Sequence, residues 1–194
     1  MTMTRRMIHD LGCTCGRHFR RVLYHAIDVT QQSGLRYAVL GGVLNSVQCP
    51  SCERVARVNL PFLYRDGAHG RLVYVCPEKA REQAGELRGQ IVQLTQELEE
   101  SAAVPEGLLR PTLIFGLERL ADLIGEELGD DEQPGSVAFD VRPGVNPERA
   151  ARVLAGRVAL QAGGYVHSWR EGGRLHVQIL GPRARLEAMT MGET

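Results

Sequence analysis

Hydrophobic and polar residues alternate in several short stretches of the first eighty residues, with the period of two that a half-buried β-strand shows. The clearest stretches are residues 19–29, 54–60 and Arg71–Cys76. Between the first two, Ser33 is placed to cap a short helix that continues to Leu40. We therefore predict that the front of the chain is a set of strands with one short helix and little hydrophobic core.

The pattern changes to a helical period after residue 78. Apolar residues recur every three or four positions over 78–103 and again after a break at 104–107, which predicts two amphipathic helices. The first stripe is Leu87, Ile91, Leu94 and Leu98, and the second is Leu117, Leu120, Ile124 and Leu128. Each stripe covers about two heptads, which is short for a coiled coil, so packing on a core is favoured over a dimer zipper. The helices either form an antiparallel hairpin or pack separately on the front.

A third region begins after residues 129–135, which contain three acids and Pro134 and are typical of an exposed linker. Residues 136–141 alternate as a strand, Asn146-Pro147 begins a helix, and two further strands flank the turn at 171–173. We predict a domain at 1–128, a linker at 129–135 and a small α+β domain at 136–194. A β-α-β-β unit of about 60 residues is small for an independent core, so we expect it to dock on the helices or on a second copy.

The composition excludes several classes of protein. With 43% hydrophobic and 24% charged residues in 194, the chain has the balance of a soluble globular protein. Its apolar runs are shorter than the roughly 20 residues of a membrane span. Residues 1–10 carry Arg5 and Arg6 without the apolar core of a secretory signal, so we expect a cytoplasmic protein with no membrane contact.

Five cysteines in a reducing cytoplasm favour metal or redox chemistry over disulfides. Cys76 lies in an apolar stretch and is predicted to be a buried small hydrophobe. The other four form two close pairs, Cys13-Thr14-Cys15 and Cys49-Pro50-Ser51-Cys52.

A turn with two cysteines delivers two thiolates at once, and two such turns complete the tetrahedral shell of zinc. We therefore predict a structural Zn²⁺ site formed by Cys13, Cys15, Cys49 and Cys52. Three alternatives stay open. The pairs can be unrelated, the second pair can be a redox dithiol, or His9 or His18 can replace a ligand of the first pair.

Several motifs around these turns resemble the CpXC domain family of bacterial proteins. They are the segments 13–19, 40–45, 49–52 and 60–66, the dipeptide Pro77-Glu78 and the segment 113–120. The likeness covers about residues 7–128 and leaves the rest of the chain outside. The family's first motif is Cys-Pro-x-Cys-Gly, whereas this chain has one residue fewer and no proline, and Glu53 replaces the glycine of the second motif.

The resemblance implies a zinc-ribbon-like fold and no established activity. The expected fold class is thus α+β, with a zinc-ribbon-like β unit, two amphipathic helices and a small β-α-β-β unit at the end. Four thiolates fill every position of a zinc ion, and we find no phosphate loop, nucleophile elbow or paired-histidine signature, so we predict no enzyme site.

The net charge of zero conceals a strongly dipolar layout. Residues 1–80 carry eleven Arg or Lys against five acids, whereas residues 82–132 carry thirteen acids against three arginines. The acidic middle either folds back over the basic front or leaves it open to a partner. We expect an adaptor or interaction module for a protein partner, with homo-oligomers through the helices or the C-terminal unit as a possibility. The alternative is nucleic-acid binding by Arg17, Arg20, Arg21, Arg54 and Arg57.

Overall fold

The computed structural model describes residues 4–100, 111–141 and 147–191, which form an α+β fold with mixed sheets. The strands are β1 Arg5–Gly12, β2 His18–Asp28, β3 Ser46–Gln48, β4 Val55–Arg57, β5 Phe62–Asp66, β6 Arg71–Cys76, β7 Thr112–Phe115, β8 Pro134–Val141, β9 Tyr165–Glu171 and β10 Arg174–Pro182. The α-helices are α1 Gly34–Leu40, α2 Ala84–Glu100, α3 Leu117–Gly125, α4 Pro147–Ala162 and α5 Arg183–Met191.

The largest sheet has five strands in the order β1-β2-β5-β6-β7. β1 and β2 form an antiparallel hairpin, whereas β2 pairs with β5, and β6 with β7, in parallel. Apolar residues of β2, β5 and β6 pack beneath α1 and α3, where Ile27, Val39 and Leu120 are fully buried. The sheet therefore supports one core, and the outer end of the β1–β2 hairpin extends beyond it.

The strand predicted at 19–29 and the helix predicted to end at Leu40 are confirmed as β2 and α1. The strand predicted at 54–60 is shorter, because only Val55–Arg57 pairs with β3. The sequence patterns did not reveal β1, β3, β5, β7 or α5.

The helix predicted from residue 78 begins as a 3-10 helix, Glu78–Gln83, and continues as α2 to Glu100. The predicted break at 104–107 lies outside the described residues. The second predicted helix is confirmed as α3 but ends at Gly125, so Leu128 follows it. Its apolar stripe packs into the core beside α1, which confirms for this helix the prediction of packing on a core over a dimer zipper.

The order β8-β10-β9 defines a three-stranded sheet that carries a second apolar cluster. Small residues of α4, including Ala155 and Ala159, are buried against β10, which allows the helix to approach the sheet closely. The predicted hairpin is confirmed, and Gly172 and Gly173 have φ of 56° and 78° at its turn. Positive φ at both central residues is the geometry of a type I′ turn, for which glycine is favoured.

The two apolar clusters meet where α1 lies against β9 and β10. A Cβ on Gly34 would lie 1.9 Å from the carbonyl oxygen of Gly164, so glycine is required for this approach. Within the segment predicted as a linker, Asp130–Glu132 forms a 3-10 helix. The carboxylate of Glu132 forms an ion pair with the guanidinium of Arg36 at 2.8 Å. Among the described helices, none combines the length and apolar character needed to span a membrane.

Candidate metal centre

The first cysteine turn is the loop of the β1–β2 hairpin. The N–H of Gly16 donates to the carbonyl of Cys13 at 2.9 Å, and the N–H of Cys13 donates to the carbonyl of Arg17 at 2.9 Å. Gly16 has a φ of 86°, which only glycine adopts without strain. These features define a three-residue hairpin loop, a tight turn followed by a left-handed residue. The loop fits a single residue between its cysteines and places both thiols at the hairpin tip.

The second turn joins β3 to β4 and is one residue longer. The N–H of Cys49 donates to the carbonyl of Arg54 at 3.0 Å, and the N–H of Glu53 donates to the carbonyl of Cys49 at 3.1 Å. Glu53 has a φ of 57°. A glutamate thus occupies the left-handed position that glycine fills in the first turn.

The two turns bring their four sulfur atoms together. The Sγ atoms of Cys13, Cys15, Cys49 and Cys52 all lie within 4.8 Å of one another. The Cys13–Cys52 and Cys15–Cys49 pairs are separated by 3.6 Å and 3.7 Å, far beyond the roughly 2.05 Å of a disulfide bond. Thiolates placed about 2.3 Å from a tetrahedral zinc are separated by about 3.8 Å, so the donor set fits such an ion.

A model of the family described as "CpXC protein" matches residues 11–127, which is more than half of the chain. The chain belongs to the CpXC family. No curated protein and no solved structure matches it. The four cysteines of this CpXC protein lie inside the matched region, whereas β8, α4, β9, β10 and α5 lie beyond it.

Main-chain amides and neighbouring thiols set the acidity of the CpXC cluster. The Cys15 N–H is the main cause that lowers the pKa of Cys13 to about 6, and the Cys52 N–H lowers the pKa of Cys49. The Arg54 N–H acts to lower the pKa of Cys52, but hydrogen bonds with Cys13 and Cys15 together raise it to about 11. The thiols of Cys13, Cys49 and Cys52 therefore differ in acidity, and a divalent cation would favour their deprotonated forms.

Polar contacts hold the two turns in place. The Arg54 guanidinium donates to the hydroxyl of Thr14, which links the second turn to the first. The Gln48 amide donates to the carbonyl of Glu53 at 2.8 Å and accepts from the N–H of Arg170 at 2.9 Å. Gln48 thus connects the second turn to β9.

A groove of about 580 Å³ separates the second turn from the β9–β10 hairpin. It is lined by Cys52, Glu53, Arg54, Val55, Trp169, Arg170, Glu171 and Gly172. The indole of Trp169 stacks between the rings of His167 and His176, with 5.2 Å between centroids on each side. The sequence predicted two strands flanking the turn at 171–173, but it did not predict that this hairpin lies beside the cysteines.

The structure brings all four predicted ligands together, so the cysteine pairs are not unrelated. Within the described residues, the cluster contains no histidine. His9 instead contacts His25, with 2.6 Å between their Nε2 atoms. Cys76 lies apart in the core, as predicted, and burial raises the pKa of its thiol.

Proposed function

We propose that Cys13, Cys15, Cys49 and Cys52 bind one zinc ion and that this ion is structural. The convergence of four sulfur atoms from two separate turns is the observation that carries the proposal. Four thiolates leave no coordination position for water or substrate, which a catalytic zinc requires. A reducing cytoplasm, where we place the protein, keeps such thiols available to metal.

The ion would replace hydrophobic core in this part of the molecule. β3 and β4 have three residues each, and every residue of β4 is exposed. So small a sheet gains little from apolar burial, whereas zinc binding to such units contributes on the order of 10 kcal/mol. We propose on this basis that β1 to β4 form a zinc-ribbon-like unit.

Elemental analysis of the purified chain tests the metal site, with one zinc per chain as the expected result. Cys52→Ser removes a ligand and should lower the zinc content and the melting temperature. The control is Cys76→Ala, which lies outside the cluster and should retain the metal. Metal-free protein that melts cooperatively at the temperature of the loaded protein would contradict a structural role.

We further propose that the protein acts as an adaptor that presents a surface to a protein partner. The groove beside the second turn supports this function, because it contains a partly exposed tryptophan with two arginines nearby. Tryptophan and arginine dominate the energetics of many protein interfaces. The groove lies between the metal-binding domain that we propose at 1–128 and the smaller domain that we propose at 136–194, joined by a linker at 129–135.

The adaptor function is tested by quantitative capture with zinc-loaded protein from its native cell extract. A partner bound in the groove should be retained by the wild-type chain and lost with Trp169→Ala. The matched control is Leu160→Ala, which alters an exposed apolar residue of α4 outside the groove. If the same proteins are retained by both variants and after chelation of zinc, the groove is not the adaptor surface.

Nucleic-acid binding remains the second proposal, favoured by the exposed arginines beside the two turns, such as Arg17 and Arg54. Several guanidiniums of this basic front already contact acids or carbonyls of the chain. Arg20 pairs with Asp10, and Arg57 with Glu118. A titration of random DNA against salt separates the two functions, because phosphate contacts give an affinity that falls steeply with salt concentration. We expect negligible binding, and a steep salt dependence would favour nucleic acid instead.

A further inference from the structure

The β1–β2 hairpin leaves one long strand edge open. β1 is an end strand of the five-stranded sheet, and within the described residues only β2 pairs with it. An unpaired strand edge of eight residues offers main-chain donors and acceptors to another strand.

Contacts of β2 show which residues of β1 direct their main chain outward. The N–H and the carbonyl of Tyr24 both bind the side chain of Asn45, at 2.7 Å and 3.0 Å. The carbonyl of Arg20 accepts from the guanidinium of Arg21 at 2.9 Å. Tyr24 and Arg20 therefore direct these groups away from β1.

Their partners on β1 are the outward-facing residues of the strand. Tyr24 is opposite Arg6, and Arg20 is opposite Asp10. In an antiparallel ladder, residues opposite each other alternate between bonded and non-bonded pairs. Arg6, Asp10 and the intervening Ile8 consequently direct their N–H and carbonyl groups away from β2, toward the open edge.

The same three residues share one face of the hairpin. Ile8 is 69% exposed and lies opposite Val22, which is 55% exposed. The Arg6 guanidinium lies 5.9 Å from the centre of the Tyr24 ring, and Asp10 pairs with Arg20 at 2.9 Å. Along the edge, an exposed apolar residue is thus flanked by a cation on one side and an anion on the other, each two residues away.

We propose that β1 pairs antiparallel with β1 of a second copy of this chain, about a two-fold axis at Ile8. In this register, Ile8 faces its own counterpart, and each Arg6 faces the Asp10 of the other copy. A two-fold interface requires such self-complementarity. Cross-strand pairs of opposite charge and of apolar side chains are both favourable, and each occurs in this register.

The register also covers the exposed apolar surface. Val22, Ile8 and their counterparts form one continuous apolar row across the joint sheet. The existing Asp10–Arg20 pair is highly exposed, so it contributes little and does not prevent Asp10 from reaching the other copy. The opposite end strand, β7, contains no charged residue and lacks this complementarity.

Sedimentation analysis of the zinc-loaded full chain over a concentration series tests the interface. We expect a monomer–dimer equilibrium whose dissociation constant rises at least about tenfold with Arg6→Asp, because acids then face each other, and likewise with Asp10→Arg. Both positions are exposed, so the variants should keep the wild-type circular dichroism spectrum. Thr112→Lys on β7 is the control and should leave the dissociation constant unchanged.

Mixing the two variants is the decisive measurement. The aspartate introduced in one variant then faces the arginine introduced in the other, and the native Asp10 of the first faces the native Arg6 of the second. The mixture should therefore form a heterodimer with about wild-type affinity. A wild-type chain that stays monomeric at its highest soluble concentration would overturn the proposal. A dimer unaffected by the single variants, or variants that fail to associate with each other, would overturn it as well.

Discussion

Glu53 and Asn45 share a left-handed backbone, with φ of 57° at both positions, but for different reasons. Glu53 is the last residue of the second cysteine turn, and its main-chain carbonyl rather than its side chain accepts a hydrogen bond from Gln48. Asn45 uses its side chain to bind both main-chain groups of Tyr24. Substituting glycine at each position therefore separates backbone strain from side-chain bonding.

The two substitutions should change stability in opposite directions. A left-handed conformation costs a residue with a Cβ about 1–2 kcal/mol, and replacing that residue by glycine relieves this strain. The greater freedom of glycine in the unfolded chain offsets about 0.5–1 kcal/mol of the relief. Glu53→Gly should thus stabilise the fold by about 0.5–1 kcal/mol. Asn45→Gly removes two hydrogen bonds from partly buried groups of Tyr24 and should destabilise by about 2 kcal/mol or more.

Thermal unfolding of the zinc-loaded variants measures the difference. For a chain of this size, about 1 kcal/mol corresponds to roughly 2–4 °C in the melting temperature. We expect Glu53→Gly to melt a few degrees higher than the wild type and Asn45→Gly to melt clearly lower. A lower melting temperature for Glu53→Gly would refute the reasoning that this position is strained.

The sequence predicted the candidate site well because each half of the site is local. Cys13 and Cys15, like Cys49 and Cys52, lie within single turns, and turn geometry alone brings each pair of thiols close together. The family resemblance then placed both turns in one domain. The hairpin of β9 and β10 was predictable for the same reason, since Gly172-Gly173 specifies its turn.

Other parts of the fold depend on contacts distant in sequence. β1 begins with two arginines and contains Asp10, so its strand pattern is weak, and only pairing with β2 defines it. In β5 the adjacent Arg65 and Asp66 obscure the apolar alternation, and each is neutralised by a residue far along the chain. The contact between Gln48 and β9 joins residues 122 positions apart, and no local pattern encodes it.

Three further predictions concern a buried ion pair, two glycines and the reactivity of the thiols. Asp66→Asn removes the buried carboxylate that pairs with the Arg36 guanidinium and leaves Glu132 as its remaining acidic partner, so it should destabilise the fold by about 1.5–3 kcal/mol in denaturant titrations. Burial opposes ionisation of Asp66, but Arg36 and then His69 hold its pKa below the ordinary 3.8. The carboxylate of Asp66 therefore contributes fully to the free energy of unfolding above that pH, and the contribution is lost on acidification. Only the wild type should show this part of the acid destabilisation. Gly164→Ala places a Cβ 2.3 Å from a carbonyl of β10 and should lower the melting temperature, whereas Gly156→Ala meets open space and should raise it slightly. Alkylation of the chelated protein should label Cys13 faster than Cys76, as mass spectrometry would show, because the pKa of the Cys13 thiol is lowered to about 6 whereas burial shields the Cys76 thiol and raises its pKa.

The β1–β2 hairpin connects the metal site with the proposed dimer edge. Its tip is the first cysteine turn, and its other end is anchored in the core through Leu23 and Ile27, which are almost wholly buried. The exposed segment around Ile8 lies between these two fixed ends. A strand fixed at both ends loses less conformational entropy when it pairs with another strand. Metal binding at the tip should therefore strengthen self-association even though no cysteine lies on the proposed interface, and chelation should weaken the dimer without altering its register.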